Sequence, residues 1–172
     1  PGFKGIVKHP ENISVTDDNQ CFNKSDLNAL QDIINANTSL TGLEPLEIGD
    51  QTWEGGQIAS LALIDVGLKA LPEVIAELDK LEMLHLDRNS IQYLPQSIGN
   101  LKNLQELVLD ENQISALPKS IGNMNNLRGL SMDNNQLSTL PESFGNLKNL
   151  EELYLNYNSI KSLPDSFGNL EN

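Results

Sequence analysis

Residues 94–116 read LPQSIGNLKNLQELVLDENQISA, and this stretch decides the fold because its pattern recurs along the chain. The Leu-Pro dipeptide that opens it returns at steps of 23 residues, with no insertion or deletion. It occurs at Leu71-Pro72, Leu94-Pro95, Leu117-Pro118, Leu140-Pro141 and Leu163-Pro164. A fixed period of this length is typical of repeat proteins, in which each unit buries its apolar face against the next unit.

Each unit combines a short strand with a turn. In Leu84-His85-Leu86 and its equivalents, inward and outward side chains alternate with the period of a β-strand. The following proline forces the chain out of the strand direction, so Gln96–Asn100 is predicted to form a turn or a short 3₁₀ helix on the outer face. We expect the glycine of each such turn to adopt a positive φ angle. These glycines are Gly99, Gly122, Gly145 and Gly168.

The apolar positions follow the pattern L-x-x-L-x-L-x-x-N-x-L, as in Leu81, Leu84, Leu86, Asn89 and Ile91. This pattern resembles the leucine-rich repeat family over residues 58–172, about two-thirds of the chain. The phrase LPxSIGNLxNL resembles the typical 23-residue subclass of Ras-interacting and plant intracellular repeat proteins. The resemblance implies an α/β solenoid, a right-handed horseshoe with a parallel sheet of short strands on its concave face and turns or 3₁₀ helices on its convex face.

The same resemblance divides the chain into two parts. Residues 58–172 hold about five repeats that start near residues 58, 81, 104, 127 and 150, the last of them incomplete. The first repeat carries Val66 where the others carry asparagine. Residues 1–57 do not follow the 23-residue spacing and are predicted to form a leader and a helical N-terminal cap.

A helix start and a tryptophan support the prediction of a cap. Ser25-Asp26 precedes an apolar stripe at helical spacing that ends at Ile33 and Ile34, and a polar cluster over residues 35–39 ends the predicted helix. Trp53 is expected to cover the core of the first repeat. This order of elements resembles the N-terminal caps of extracellular repeat proteins, although the pair of cap cysteines often seen in plant receptors is absent. Residues 1–20 are interpreted as an extended or partly ordered leader.

An asparagine recurs inside the apolar frame of four repeats. A buried amide is unfavourable unless it is hydrogen-bonded, and at strand spacing these amides can bond the open backbone groups of the adjacent turn. We therefore interpret them as a structural ladder rather than as a binding row. The ladder consists of Asn89, Asn112, Asn135 and Asn158.

Charge and composition limit the classes of partner. The formal net charge is −13, which repels phosphate backbones and anionic membrane surfaces and argues against nucleic acid. A protein partner with a basic or mixed basic and apolar surface fits better, although acidity that only keeps the protein in solution is an alternative. No run of 18 apolar residues predicts insertion into a membrane. Cys21 is the only cysteine, so it has no intrachain disulfide partner.

Outward-facing strand positions of successive repeats lie about 5 Å apart, so they form columns on the predicted concave face. The columns combine carboxylates with apolar and aromatic side chains, and Tyr154 and Tyr157 are plausible anchors because tyrosine is enriched at binding hot spots. The candidate partner-binding residues are Met83, His85, Asp87, Arg88, Glu106, Val108, Asp110, Glu111, Ser131, Asp133, Glu152, Tyr154 and Tyr157. The alternatives are that the aspartates only form a solvated face, or that Asp87, Asp110 and Asp133 share a Ca²⁺ ion; the favoured prediction includes no metal and no cofactor.

No pattern predicts catalysis. His9 and His85 are the only histidines, and neither belongs to a recognisable catalytic arrangement; we expect His85 to lie near Asp87 or Met83 as a surface contact. No phosphate-binding loop or metalloprotease motif is present. Three N-x-S/T sequons, at Asn12, Asn23 and Asn37, are about as many as chance produces and do not establish secretion.

The sequence ends just before the next expected strand, so we expect further repeats or a cap to follow, or another chain to cover this edge in an oligomer. Together, these patterns predict a non-catalytic protein–protein interaction module that binds through an acidic concave sheet. The alternative is a ligand-sensing or adhesive ectodomain that recognises a peptide or a glycan.

Overall fold

The computed structural model describes residues 21–171 together with the backbone of residues 7–8 and 13–15. Most of the predicted leader, including His9 and the Asn12 sequon, lies outside the described residues. Three short strands form an antiparallel sheet in the order β1-β2-β3. They are β1 (Val7–Lys8), β2 (Ile13–Val15) and β3 (Cys21–Asn23).

Helix α1 (Lys24–Ala36) follows β3 directly. It begins earlier than predicted, because Asn23 and not Ser25 is the N-cap: its side-chain oxygen accepts a hydrogen bond from the Ser25 N–H at 2.8 Å. It ends at Ala36, within the polar cluster that predicted its end. Within the described part of the chain, no helix is long and apolar enough to cross a membrane.

Two buried polar residues join α1 to the first repeat. Asp26 accepts the Ile58 N–H at 2.7 Å. Its carboxylate therefore bonds the beginning of β5 and is not the N-cap of the helix. Asn37 donates to the carbonyl oxygens of Ile33 and Ala70, both at 2.9 Å, and accepts the N–H groups of residues 69 and 70. The amide predicted as part of a sequon is therefore 2% exposed and fully bonded inside the fold, where no glycan can be attached without local unfolding.

Asp26 predicts a pH dependence of stability. Burial raises the pKa of its carboxyl group, the hydrogen bond from Ile58 opposes the rise, and the charge of Asp79 adds to it. Because the folded pKa lies above the unfolded value, the stability that Asp26 contributes is complete below the unfolded pKa and is lost as the pH rises through the folded pKa. We expect the free energy of unfolding of Asp26→Asn, minus that of the wild type, to increase from pH 4 to pH 7 in urea titrations. Asp32→Asn, at an exposed position of α1, is the control, and a difference for Asp26→Asn that stays constant with pH would contradict the expectation.

The second sheet has six strands in the order β4-β5-β6-β7-β8-β9. The first pair is antiparallel, and every later pair is parallel. In each parallel pair, three consecutive residues of one strand lie opposite three residues of the next. The strands are β4 (Asp50–Glu54), β5 (Gln57–Ala62), β6 (Met83–His85), β7 (Glu106–Val108), β8 (Gly129–Ser131) and β9 (Glu152–Tyr154). The predicted solenoid of short parallel strands is confirmed. The predicted division of the chain after residue 57 stays a prediction. Strands β4 and β5 pair with each other as one hairpin close to this position.

The interior is aliphatic and continuous from α1 to the last repeats. The central leucines of strands β5 to β8 are at most 1% exposed; they are Leu61, Leu84, Leu107 and Leu130. Trp53 packs against this core from the β4 side and contacts Phe22 edge to face, with ring centroids 4.6 Å apart. The apolar repeat therefore aligns the strands, and it leaves the intervening residues on the opposite side of the sheet.

The return segments of the repeats are 3₁₀ helices, as predicted for Gln96–Asn100. Short 3₁₀ helices span Thr38–Leu40, Pro45–Glu47, Glu73–Glu77, Gln96–Asn100, Lys119–Asn123, Glu142–Asn146 and Asp165–Asn169. Neighbouring turns are also hydrogen-bonded: the Glu73 carboxylate accepts the Ser97 N–H at 2.8 Å. Hydrogen bonds from Ser97 lower the pKa of Glu73, so this contact weakens as the pH falls through the folded pKa.

The expected positive φ angle of the turn glycines is wrong. Gly99, Gly122, Gly145 and Gly168 are not among the residues with positive φ. A methyl group on Gly122 would instead overlap the carbonyl oxygen of Ser143 in the next turn and lie 2.8 Å from its carbonyl carbon. Gly99 and Gly145 have the same relation to Ser120 and Ser166. These glycines let successive turns approach closely, whereas Gly168 has no atom within 4 Å of such a methyl group.

Candidate functional site

The candidate residues lie on the face of the six-stranded sheet that is turned away from the core, which we name the open face. Parallel pairing aligns them in columns that run across β5 to β9. The first column is Ser60, Met83, Glu106, Gly129 and Glu152, and the second is Ala62, His85, Val108, Ser131 and Tyr154. Met83 is 41% exposed and Tyr154 is 48% exposed, so apolar as well as charged groups are accessible here.

The aspartates that follow the strands do more than carry charge. Asp110 Oδ1 accepts the Ser131 hydroxyl at 2.6 Å and the Asp133 N–H at 2.7 Å. Asp133 Oδ1 in turn accepts the Asn156 N–H at 2.6 Å. Each of these carboxylates therefore joins its repeat to the next one. Asp87 differs, because its Oδ2 lies 3.4 Å from Nε of its neighbour Arg88.

The column beside the aspartates has an unusual backbone. All five of its residues have φ angles between 54° and 57°, although none is glycine; they are Asp65, Arg88, Glu111, Asn134 and Tyr157. L-residues adopt this region rarely, and its return in every repeat shows that the solenoid imposes it. The backbone N–H of Arg88 bonds the Asp110 carbonyl oxygen at 2.9 Å, so the sheet hydrogen bonds continue through this residue. All five side chains are exposed, with Tyr157 at 80%.

The side chain of His85 contacts a residue on a neighbouring strand. Its expected position near Asp87 or Met83 stays a prediction. His85 Nε2 lies 3.1 Å from Oε1 of Glu106 on β7. The two side chains are partly exposed, at 32% and 46%. This pair joins the first two columns and provides a charged, solvent-accessible surface.

The structure also reveals a groove that sequence reasoning missed. It has a volume of about 350 Å³ and crosses β6 to β9 over Gly129, the smallest member of the first column. Its border includes residues just before the strands, which the candidate set omitted: Glu82, Gln105, Arg128 and Glu151. The available signal was a glycine in a column of longer side chains. Arg128 Nη1 lies 3.6 Å from Glu151 Oε1.

The asparagine ladder lies behind the open face, in the interior. Asn112 is 7% exposed and donates to the Leu86 and Leu109 carbonyl oxygens at 2.9 and 3.1 Å. Its Oδ1 accepts the Ile91 N–H at 3.0 Å. The same bonds recur at Asn89, Asn135 and Asn158. Each amide thus bonds backbone groups of its own repeat and the preceding one, and Asn37 makes comparable bonds for the first repeat, which lacks a ladder asparagine of its own.

The described part of the chain offers little support for a metal site, a disulfide or glycan attachment. No group of three or more His, Cys, Asp or Glu side chains in residues 21–171 is arranged to hold a metal ion. Asp110 already uses one carboxylate oxygen, and Asp133 uses both of its own, to bind the next repeat. Cys21 is an exposed free cysteine at the start of β3. Asn23, the second sequon, uses its side-chain oxygen as the helix N-cap.

Two family models match adjoining parts of the chain. A model described as a leucine-rich repeat region matches residues 57–135, and one described as two copies of leucine-rich repeats matches residues 125–171. Together they cover the segment in which the 23-residue spacing was found. The predicted assignment to the Ras-interacting and plant intracellular subclass stays a prediction. No curated relative matches the chain with statistical significance.

Solved structures show the same likeness. The leucine-rich repeat protein LIC12759 of Leptospira interrogans is 41% identical over 60% of this chain and 26% of its own, with a TM-score of 0.59. The BIR3–SERK2 complex from Arabidopsis thaliana matches at 26% identity, 76% and 70% coverage and a TM-score of 0.60. A plant ice-binding protein matches at 25% identity, 87% and 54% coverage and a TM-score of 0.70.

The chain spans about a quarter of the Leptospira protein that it resembles. What carries over is the repeat itself: the leucine positions, the ladder asparagines and the short parallel strands that they produce. Leucine-rich repeat domains generally mediate protein–protein interactions. On the two family matches and this architecture, the chain belongs to the leucine-rich repeat proteins.

Proposed function

We propose that this chain is a non-catalytic protein-interaction module that binds its partner through the open face of the sheet, the concave face expected for the horseshoe. The observation that carries the proposal is the convergence on one face of exposed tyrosines and carboxylates. Tyr154 and Tyr157 are 48% and 80% exposed, and Glu111 and Glu152 are exposed beside them. Large aromatic side chains next to charged groups are typical of binding hot spots.

The charge of this face supports a partner with a basic or mixed basic and apolar surface. Asp87, Asp110, Asp133 and the glutamates of the first column give it a negative potential, which agrees in sign with the formal net charge of −13. Such a potential raises the rate of encounter with basic surfaces and repels nucleic acid. Among the related structures, the BIR3–SERK2 complex is an assembly of proteins. Binding of a protein partner is therefore the function that the residues and the relatives favour together.

A matched pair of tyrosine variants tests the proposal. We expect Tyr154→Ala to weaken binding of the partner about tenfold or more, since truncation of a hot-spot aromatic costs about 2 kcal/mol or more. Tyr93→Ala removes an equally large side chain that is 70% exposed but does not belong to the columns of the open face, and it should leave the affinity unchanged. The partner is isolated from an extract of the source cells on immobilised protein, and each affinity is then measured with the purified partner by surface plasmon resonance.

The column of Asp87, Asp110, Asp133 and Asn156 is tested by neutral amides and not by charge reversal, because Asp110 and Asp133 bond the next repeat. Asp87→Asn, Asp110→Asn and Asp133→Asn together remove three charges and keep an oxygen acceptor, and Asn156 already occupies this position in the last repeat. The control replaces Asp32, Glu54 and Asp165, exposed carboxylates outside the columns, by their amides. A partner that binds the column variant and the Tyr154→Ala variant as tightly as the wild type would rule out the open face.

A ligand-sensing or adhesive ectodomain is the second candidate function. One observation favours it: the structure of a TDR receptor is 32% identical over 58% of this chain and 18% of its own, with a TM-score of 0.52. A peptide or glycan ligand would then occupy the same face. Screening of the purified chain against glycan and peptide arrays distinguishes the candidates, because a protein-interaction module captures a folded protein but no isolated glycan.

A further inference from the structure

The groove over Gly129 has no structural explanation in the fold itself. A methyl group on this glycine would meet only Glu106 Cγ, at an ordinary distance of 3.7 Å, and the φ angle of Gly129 is not positive. Neither packing nor backbone conformation therefore requires a glycine here, in contrast to Gly122. What the missing side chain does is open the surface between β7 and β9, where Glu106 and Glu152 lie on either side in register.

The spacing of these two carboxylates suits a bidentate cation. Adjacent strands lie about 4.8 Å apart, so the Cα atoms of Glu106 and Glu152 are about 10 Å apart across Gly129. Two glutamate side chains that lean inward from this distance can hold a planar guanidinium between them. Glu106 engages His85 with Oε1 only, and the Glu152 carboxylate makes no hydrogen bond or ion pair to any residue of the described part of the chain.

The rest of the groove adds negative charge and apolar surface. Glu82 and Glu151 lie at its border, and the one positive group, Arg128, is already near Glu151. Four carboxylates therefore face one guanidinium. Met83 and Tyr154 contribute apolar surface that is 41% and 48% exposed. This combination excludes an anion, and a purely apolar side chain would cover carboxylates without pairing them.

We propose that the groove over Gly129 is a subsite that receives one arginine side chain of the protein partner. The guanidinium lies between Glu106 and Glu152, and Tyr154 supplies an aromatic surface beside it. A volume of about 350 Å³ is at the lower end of ligand pockets, which fits one side chain rather than a folded segment. Lysine fits less well, because its compact ammonium group lacks the planar fork that pairs with two carboxylates. This inference rests on the proposed binding of a protein at the open face.

A titration with small peptides tests the subsite without the partner. The ¹⁵N-labelled protein is titrated at physiological ionic strength with acetyl-Gly-Arg-Gly-amide, and backbone amide shifts are followed by NMR. We expect saturable shifts centred on Gly129, Glu106 and Tyr154, an affinity at least fivefold weaker for the lysine peptide, and no saturable shifts for the glutamine peptide. Shifts that are equal for the arginine and lysine peptides, or that also saturate with the glutamine peptide, overturn the proposal.

Three variants test whether the arginine peptide binds in the groove over Gly129. Gly129→Leu fills the groove and should abolish saturation. Glu152→Gln, at an exposed position that cannot affect the core, should weaken binding at least fivefold even if the leucine variant is poorly folded. Glu111→Gln makes the same charge change in another column and should alter the affinity less than twofold. Peptide binding that survives both Gly129→Leu and Glu152→Gln overturns the subsite, even if Tyr154→Ala weakens the partner. Failure of the proposed function is a separate result: partner binding would then be unchanged in every open-face variant.

Discussion

Gly122→Ala is expected to lower the free energy of unfolding by about 3 kcal/mol or more, whereas Gly168→Ala should change it by less than about 0.5 kcal/mol. The added methyl group at residue 122 would overlap the Ser143 carbonyl oxygen, which belongs to the backbone of the next turn. That turn has little room to move, because Gly145 places it against Ser166 in the same way. Relief of the overlap therefore requires the packed repeats to separate.

The comparison with Gly168 isolates the cause. Both glycines occupy the fourth position of a five-residue 3₁₀ helix, but a methyl group on Gly168 meets no atom within 4 Å. Intrinsic preference for alanine in a helical turn is the same at the two sites and is slightly favourable. Urea unfolding followed by circular dichroism measures both variants. Equal stability of the two alanine variants would show that close approach of the turns is not the reason for glycine.

Asn112→Ala should lower the free energy of unfolding by about 3 kcal/mol or more, because each buried group left without a partner costs about 1–3 kcal/mol. The substitution removes the acceptor of the Ile91 N–H and the donor to the Leu86 and Leu109 carbonyl oxygens. These groups belong to two successive repeats, so the loss weakens the connection between them as well as one turn.

Hydrogen exchange gives a local measure of the same effect. The Ile91 amide should lose protection in Asn112→Ala and retain it in Asn112→Asp, which keeps the acceptor and removes the donor. Asn123→Ala, at an exposed position in the 3₁₀ helix Lys119–Asn123, is the control and should cost less than about 0.5 kcal/mol. An Ile91 amide that stays protected in Asn112→Ala would mean that another group satisfies it.

Features that depend on contacts between distant parts of the sequence were predicted less accurately than features of a single repeat. The start of α1 was misplaced by a local ambiguity, since Asn23 and Ser25 are both good N-cap residues and only Asn23 directs its oxygen to the Ser25 N–H. Asn37 was considered only as a sequon, and its bonds to residues 69 and 70 depend on a contact across more than thirty positions. The turn glycines were correctly singled out, but for the wrong physical reason.

The candidate face shows the same limit. Its columns could be listed from the repeat, because a regular period specifies which residues become neighbours. The roles within the columns could not, since Asp110 and Asp133 look identical to free surface aspartates in the sequence. The groove over Gly129 was missed because its shape depends on side chains from four strands and on the residues just before them.

The sequence by itself therefore determined the repeat, its parallel strands, its 3₁₀ turns and the set of outward residues, because a 23-residue period of leucine, proline and asparagine acts the same way in each unit. Only the tertiary structure decided how the units meet. Close approach at Gly122, the carboxylate bonds of Asp110 and the shape of the groove all depend on atoms from adjacent repeats. Their distances and angles follow from how the whole solenoid packs, and no single repeat contains that information.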